Sequence, residues 1–509
     1  MLTSNVLARP TTGDAAVGRA GFVHEHGLWT ETQTAAAREL TRRLDGLRVV
    51  RVAWADQHGL VRAKALPVDV FASALRNGMR VNTGPMIMDS GSAIAFNPFV
   101  PGGGFGIDGM EGCPDIVAVP DPTTFRVLPW APATGWILCD EYFQNGQPFP
   151  FSVRHVLRDT IAKLDARNLE AIIGVEVEWH LTRIVEDHRS PEALGAPGHP
   201  GQPPTVEAVT AGYQYQSEVA ADEIDAIISV LHENLVGAGL PLRTLEDEWG
   251  PSQMEFTFAP LPAMQAADTV LLFRSAARQI ARRHGYHATF MCRPGLPGFF
   301  SSGWHLHQSL VDRVSGANAF AADDGQDMSP LGLSYVAGLI EHANEASVFT
   351  APTVNGYKRY RPFSLAPDRA VWGKENRGSM IRMTGGAGDP TTHVENRAGE
   401  PAANPYLYIA SQIIAGMDGV ERGLDPGSAT DSPYETDARA LPRSLAEAVD
   451  ALDGSRLYRE TMGDPFVDYI LALKRSELGR FHAAVDGLPE AEVHGEVTAW
   501  EHREYFQTF

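Results

Sequence analysis

The chain has 509 residues, and its 63 Asp and Glu outnumber 42 Lys and Arg, a formal net charge of −21. That length fits two or three domains, and the acidic balance argues against nucleic acid or an anionic membrane as the main partner. With 44% apolar and 21% charged residues, wholesale disorder is excluded.

Residues 1–20 read as unstructured, and the helix formers of 31–44 make a helix that Gly46 ends. Arg48 to Asp56, the turn Gln57-His58-Gly59 and residues 60–67 predict a β-hairpin, followed by a short helix over 68–75. Residues 81–130 are rich in turns, with one strand at 115–119. These features predict an N-terminal extension and helix (1–44) and a small, mainly β domain (45–150). Ser152 opens a helix with Val153, Val156, Leu157, Ile161 and Leu164 on one face. Beyond it, long helices (218–238, 264–284, 330–346, 406–421) alternate with short strands (171–182, 253–258, 287–292, 304–310). Residues 185–205 form an irregular insertion, and the end from Leu441 is helical. The second domain, 151–509, is therefore α+β. Cys113, Cys139 and Cys292 are far apart, so neither a disulfide framework nor a zinc knuckle is expected. No apolar run approaches the roughly 18 residues of a membrane span, and the N-terminus lacks a signal-peptide core. The expectation is a soluble, cytoplasmic protein.

Strand residues two apart share a face, so Glu176 and Glu178 project side by side, about 6.6–7 Å apart along the backbone. His305 and His307 repeat the pattern. Alone, such pairs are more often a solvated or satisfied strand face than a site. Glu248, Glu255 and Glu395 supply further carboxylates. Several carboxylates with one imidazole suit hard divalent cations, Mg²⁺ or Mn²⁺, better than zinc. Between residues 355 and 397 lie Lys358, Arg359, Arg361, Arg369, Lys374, Arg377, Arg382 and Arg397, a basic belt in an acidic chain. Arginine forks match carboxylates and phosphates. Metals beside them are the usual equipment for moving a phosphoryl group. There is no Walker A motif and no kinase-type glycine loop.

In this order, Glu176-x-Glu178, Glu248…Gln253-x-Glu255, His305-x-His307-x-Ser309, Asn355-x-Tyr357-Lys358-Arg359, Asn376-Arg377…Arg382 and Glu395-x-Arg397 resemble the glutamine synthetase family, over about residues 45–509. Pro120-Asp121-Pro122 and Pro129-Trp130 resemble its first domain. The resemblance implies a β-grasp N-terminal domain and a catalytic domain of antiparallel sheet with flanking helices. It implies ATP as co-substrate, two or more Mg²⁺ or Mn²⁺ ions per site, and a ring-shaped homo-oligomer, a dodecamer, with sites between subunits. One metal falls to Glu178, Glu248 and Glu255, the other to Glu176, His305 and Glu395. His307 falls to the transferring phosphate, Arg359 and Arg397 to the glutamate carboxylates, and Arg377 and Arg382 to ATP phosphates and the transition state. Ser309 and Lys358 fall to the nucleotide.

The departures carry the functional reading. Where ammonia-using members have a glutamate that closes the site and takes a proton from ammonium, this chain has Leu365. Their substrate-gripping Asn-Gly reads Phe300-Ser301, and His393 replaces an ATP-contacting arginine. Their first-domain acid for ammonium aligns with Asp89. A leucine neither attracts a cation nor takes a proton. The expected activity is therefore an ATP-dependent ligase joining the γ-carboxylate of glutamate to a primary amine through a γ-glutamyl phosphate, with an aryl or alkyl amine such as aniline favoured. The alternatives are glutamine synthetase itself, using ammonia, and an inactive scaffold or nitrogen sensor.

Overall fold

The computed structural model describes residues 21–322 and 325–509, so the expectation for residues 1–20 lies outside it. After helix Glu31–Arg42, capped by a reciprocal Thr30–Gln33 box, the chain builds a six-stranded sheet. Its strands are β1 (Val49–Ala55), β2 (Val61–Pro67), β3 (Met79–Asn82), β4 (Asp115–Pro120), β5 (Arg126–Val127) and β6 (Thr134–Tyr142), in the order β2-β1-β6-β4-β3 with β5 on β6. The hairpin forms because Asp56 accepts from the backbone N–H groups of His58 and Leu60, both at 2.9 Å, and Gly59 takes a left-handed φ of 71°.

The second sheet has nine strands: β7 (Leu169–Glu186), β10 (Thr205–Ala208), β11 (Leu242–Asp247), β12 (Gln253–Pro262), β13 (Tyr286–Thr289), β14 (Trp304–Asp312), β15 (Trp372–Lys374), β16 (Ile381–Thr384) and β17 (His393–Asn396). The insertion between β7 and β10 holds a small ribbon, β8 (Gly195–Ala196) and β9 (His199–Pro200). The order is β11-β12-β7-β14-β17-β16-β15, with β10 and β13 also on β7; only β15 and β16 pair in parallel. The fold is thus mixed α+β. On β7, Val175, Val177, Trp179 and Leu181 point into the core, where Trp179 meets Phe256, Phe273 and Phe290. The alternation throws Glu176 and Glu178 onto the opposite face.

Several elements differ from the sequence reading. β7 runs four residues beyond 182, because β10 and β13 pair with its far end. The helix read over 218–238 breaks at Ile224, and that over 330–346 breaks at His342, whose ring is held between Glu345 (3.1 Å) and Asp418 (2.8 Å). Ser152 occupies the N-cap position of helix Val153–Asp165 without a capping hydrogen bond. Buried Arg154 on that helix ties the first sheet to the helix Ala263–Arg283. Its guanidinium bonds Asp121 (2.9 Å), Asp140 (2.6 Å) and Asp268 (2.9 Å), which explains the Pro-Asp-Pro motif in physical terms.

Candidate active site

The polar face of the nine-stranded sheet floors a cavity of about 1990 Å³. Register assembles its acids. Glu255 on β12 lies opposite Glu178 on β7, His305 on β14 opposite Glu176 on β7, and Glu395 on β17 opposite His307 on β14. Potential ligand atoms of Glu176, His305 and Glu395 lie within 4.8 Å of one another, as do those of Glu178, Glu255 and His305. Glu248, on the turn after β11, lines the same cavity but stands outside both groups, its carboxylate accepting from the Trp249 N–H.

The two halves of this cluster differ electrically. Burial opposes ionisation of Glu395, but Arg397 and then His305 and His307 outweigh it and hold the carboxyl down at about 2. Glu176 is likewise held well below the carboxylate range, burial being outweighed by His305 and His307. In the other half burial wins, although Arg359 and Arg397 favour the charged form of Glu178. Burial pushes Glu178 and Glu248 up to about 7. Burial, followed by Glu176, Glu178 and Glu248, pushes Glu255 up to about 10. A hard cation fits this half: it would take three oxygen donors and remove their mutual repulsion.

Neighbours orient these ligands. Gln253 Nε2 (3.0 Å) and the Gly303 N–H (2.7 Å) both donate to Glu178. Arg359 donates to His305 Nε2 at 3.2 Å, so the other ring nitrogen of His305 carries the proton given to Glu176. His393 Nδ1 lies 2.7 Å from the Thr391 carbonyl and must donate to it, so its Nε2 accepts from His307 Nδ1 at 3.0 Å. The far nitrogen of His307 lies 3.0 Å from Glu176.

Of the other residues singled out in the sequence, Ser301, Ser309, Leu365, Arg377, Arg382 and Arg397 also line the cavity. Arg397 bonds Glu395 and the carbonyls of Arg377 and Leu365, and Arg382 bridges Glu395 and Glu375. Arg377 is exposed to the cavity and bonds no other described side chain, so its fork is open to an anion.

Two residues are corrected. Asp89 does not reach the cavity: its fully buried carboxylate accepts from Arg480, Ser476 and the N–H groups of Gly91 and Ala93, leaving no lone pair for an amine. Lys358 borders the cavity, but its ammonium is taken by the Val493 carbonyl and Glu501, so it anchors the C-terminal segment instead of contacting a nucleotide. Sequence reasoning also missed Tyr213, Tyr215 and Trp249 in the cavity wall. The adjacency of Trp249 to Glu248 was the available signal.

The family model for the glutamine synthetase catalytic domain matches residues 151–491. The chain is 47% identical over 492 residues to a γ-glutamylanilide synthase of Acinetobacter sp., covering 95% of this chain and 98% of that protein. It is 31% identical to a glutamine synthetase of Methanosarcina mazei, covering 86% and 93%. It is 29% identical to a γ-glutamylethanolamide synthetase of Streptomyces coelicolor, covering 78% and 80%. A solved GmaS complex with ADP superposes with a TM-score of 0.72 at 27% identity, covering 91% of this chain and 98% of that one. The chain belongs to the glutamine synthetase family.

Proposed function

We propose that this cavity is the active site of an ATP-dependent ligase that joins the γ-carboxylate of glutamate to a primary amine, a hydrophobic aryl or alkyl amine such as aniline. The observation that carries the reading is Leu365. It lines the cavity with half its surface exposed, where ammonia-using relatives need an acid, and exposed Phe363 lines the cavity beside it. Likeness to the γ-glutamylanilide synthase supports the same choice.

On this reading Arg359 and Arg397 hold the carboxylates of glutamate. Arg377 and Arg382 hold the triphosphate, His307 faces the transferring group, and Ser309 and His393 border the nucleotide. Glu176, His305 and Glu395 would hold one Mg²⁺ or Mn²⁺, and Glu178, Glu248 and Glu255 another. Such ions supply Lewis-acid charge to phosphoryl oxygens. A γ-carboxylate oxygen displaces ADP at phosphorus; the amine nitrogen then attacks the acyl carbon, phosphate leaves, and the amide nitrogen loses its proton. An arylamine is neutral at pH 7, so it enters this site without a dedicated base to deprotonate it. Residues 45–150 then form the β-grasp domain and 151–509 the catalytic domain of a cytoplasmic ring-shaped homo-oligomer, a dodecamer with sites between subunits.

The test is phosphate release from ATP with glutamate and a panel of amines, with product mass read alongside. Formation of γ-glutamylanilide supports the ligase. Glutamine formation from ammonium alone assigns the chain to glutamine synthetase, and absence of turnover with every amine assigns it to a scaffold.

A further inference from the structure

Six aromatic side chains among the described residues are exposed: Phe99, Tyr213, Tyr215, Trp249, Phe300 and Phe363. All but Phe99 line the one cavity. Exposed aromatic surface concentrated in a cavity wall marks a ligand surface, since water gains nothing from it and a bound apolar group does.

Tyr215 and Trp249 come from two segments joined by backbone hydrogen bonds, and the Phe300 side chain packs on Gly250. The Gly250 N–H donates to the Gly212 carbonyl at 3.0 Å, and the Gln216 N–H to the Asp247 carbonyl at 3.2 Å. A Cβ on Gly212 would sit 2.0 Å from the Gly250 carbonyl carbon, and one on Gly250 would sit 3.1 Å from the Phe300 Cβ. Both glycines have positive φ, 66° and 124°. Only glycine permits that approach in that conformation. The Trp249 and Phe300 rings meet edge-on with centroids 6.1 Å apart, and each remains about half exposed (49% and 47%). Backbone thus holds the Tyr215 and Trp249 segments together, while the Trp249 and Phe300 rings stay half exposed.

Its place fits the acceptor. Trp249 follows Glu248, and Phe300 lies three residues before Gly303, whose N–H holds Glu178. Tyr215 lines the same cavity and directly precedes Gln216, whose N–H is held by the Asp247 carbonyl one residue before Glu248. The proposed nucleotide contact Ser309 lies four residues beyond His305 along β14, about 13 Å away at 3.3 Å per residue. Phe300 precedes the opposite end of that strand.

We propose that Trp249 and Phe300, with Tyr215 beside them, form a specificity-determining aromatic wall that receives the ring of an arylamine acceptor. The inference rests on the ligase reading above and extends it to cavity residues other than Leu365. A ring stacked on or against an aromatic partner gains affinity that an aliphatic side chain of similar bulk does not supply.

The test uses the full-length protein with Trp249→Leu and Phe300→Leu. For each, kcat/KM for aniline should fall about tenfold. That for methylamine, and the KM values for glutamate and ATP, should stay within about twofold, which also reports an intact fold. A raised glutamate KM with an unchanged aniline-to-methylamine ratio overturns the proposal by giving Phe300 to the acid substrate. A raised ATP KM overturns it by giving the wall to adenine. Calorimetry with benzyl alcohol, an aryl probe without an amine, separates this from the ligase reading. Binding to wild type that weakens about tenfold in the variants supports the wall even if no anilide forms. Anilide formation with no benzyl alcohol binding, or with equal binding to all three proteins, overturns the wall and leaves the ligase standing.

Discussion

Glu178 and Glu255 are direct partners across the antiparallel pair β7–β12, two buried carboxyls facing the same cavity. Like charges directly opposite in a sheet are destabilising. Burial pushes Glu178 to about 7 and Glu255 to about 10, so at neutral pH the metal-free site retains protons that a cation must displace.

Binding of Mg²⁺ or Mn²⁺ at pH 7 should therefore release protons, on the order of one to two per site. Isothermal calorimetry in two buffers of different ionisation enthalpy reads this number directly. Both carboxyls have folded pKa values above the ordinary 4.5, so their contribution to metal-free stability is present below that value and lost as pH rises through about 7 and then 10. Added Mg²⁺ should raise Tm more at pH 8 than at pH 6; an equal gain at both would place the ion elsewhere.

Glu255→Gln removes a ligand without adding bulk. Turnover should fall by at least about 100-fold, corresponding to several kcal/mol of lost transition-state stabilisation. The metal-free protein should not lose Tm at neutral pH, because the Glu255 carboxyl is then already protonated and Gln replaces one neutral group by another. Activity within tenfold of wild type would remove Glu255 from the site.

Arg377→Gln tests an open guanidinium of the cavity. The loss should be on the order of 10²–10³ in kcat/KM for ATP, with Tm unchanged, since the side chain bonds no other described side chain. A large drop in Tm would instead mark it as structural.

Arg154→Ala should destabilise by about 3–5 kcal/mol, because Asp121 and Asp140 would be left buried. Arg158 still reaches Asp140, so Asp121 is the uncompensated partner. Thermal unfolding checks this, and a change within 1 kcal/mol would contradict the role given to the cluster.

The acid cluster of the second sheet was legible from sequence because all its members but Glu248 sit on strands. Alternation put Glu176 with Glu178 and His305 with His307, and pairing then supplied neighbours such as Glu178 and Glu255. The breaks at Ile224 and His342 were not legible, since the apolar spacing continues through both and only tertiary partners such as Asp418 mark the second. Asp89 was misread for a related reason. The motif Met88-Asp89-Ser90-Gly91 looks like a site, but the Arg480 that consumes its carboxylate lies 391 residues away in sequence. The aromatic wall stayed hidden because Tyr215 and Trp249 are brought together by backbone contact at Gly212 and Gly250, and Phe300 by packing on Gly250, for which a sequence offers no period.

The most direct measurement is a competition: equimolar aniline and ammonium offered together with glutamate, ATP and Mg²⁺, with both products quantified at early times. The product ratio then equals the ratio of kcat/KM values. Burying about 100 Å² of aryl surface against Leu365 and its neighbours corresponds to about 2.5 kcal/mol, so γ-glutamylanilide should exceed glutamine by on the order of 50-fold or more, and Leu365→Glu should move the ratio toward glutamine. Glutamine equal to or exceeding the anilide in the wild type would contradict the amine-ligase account.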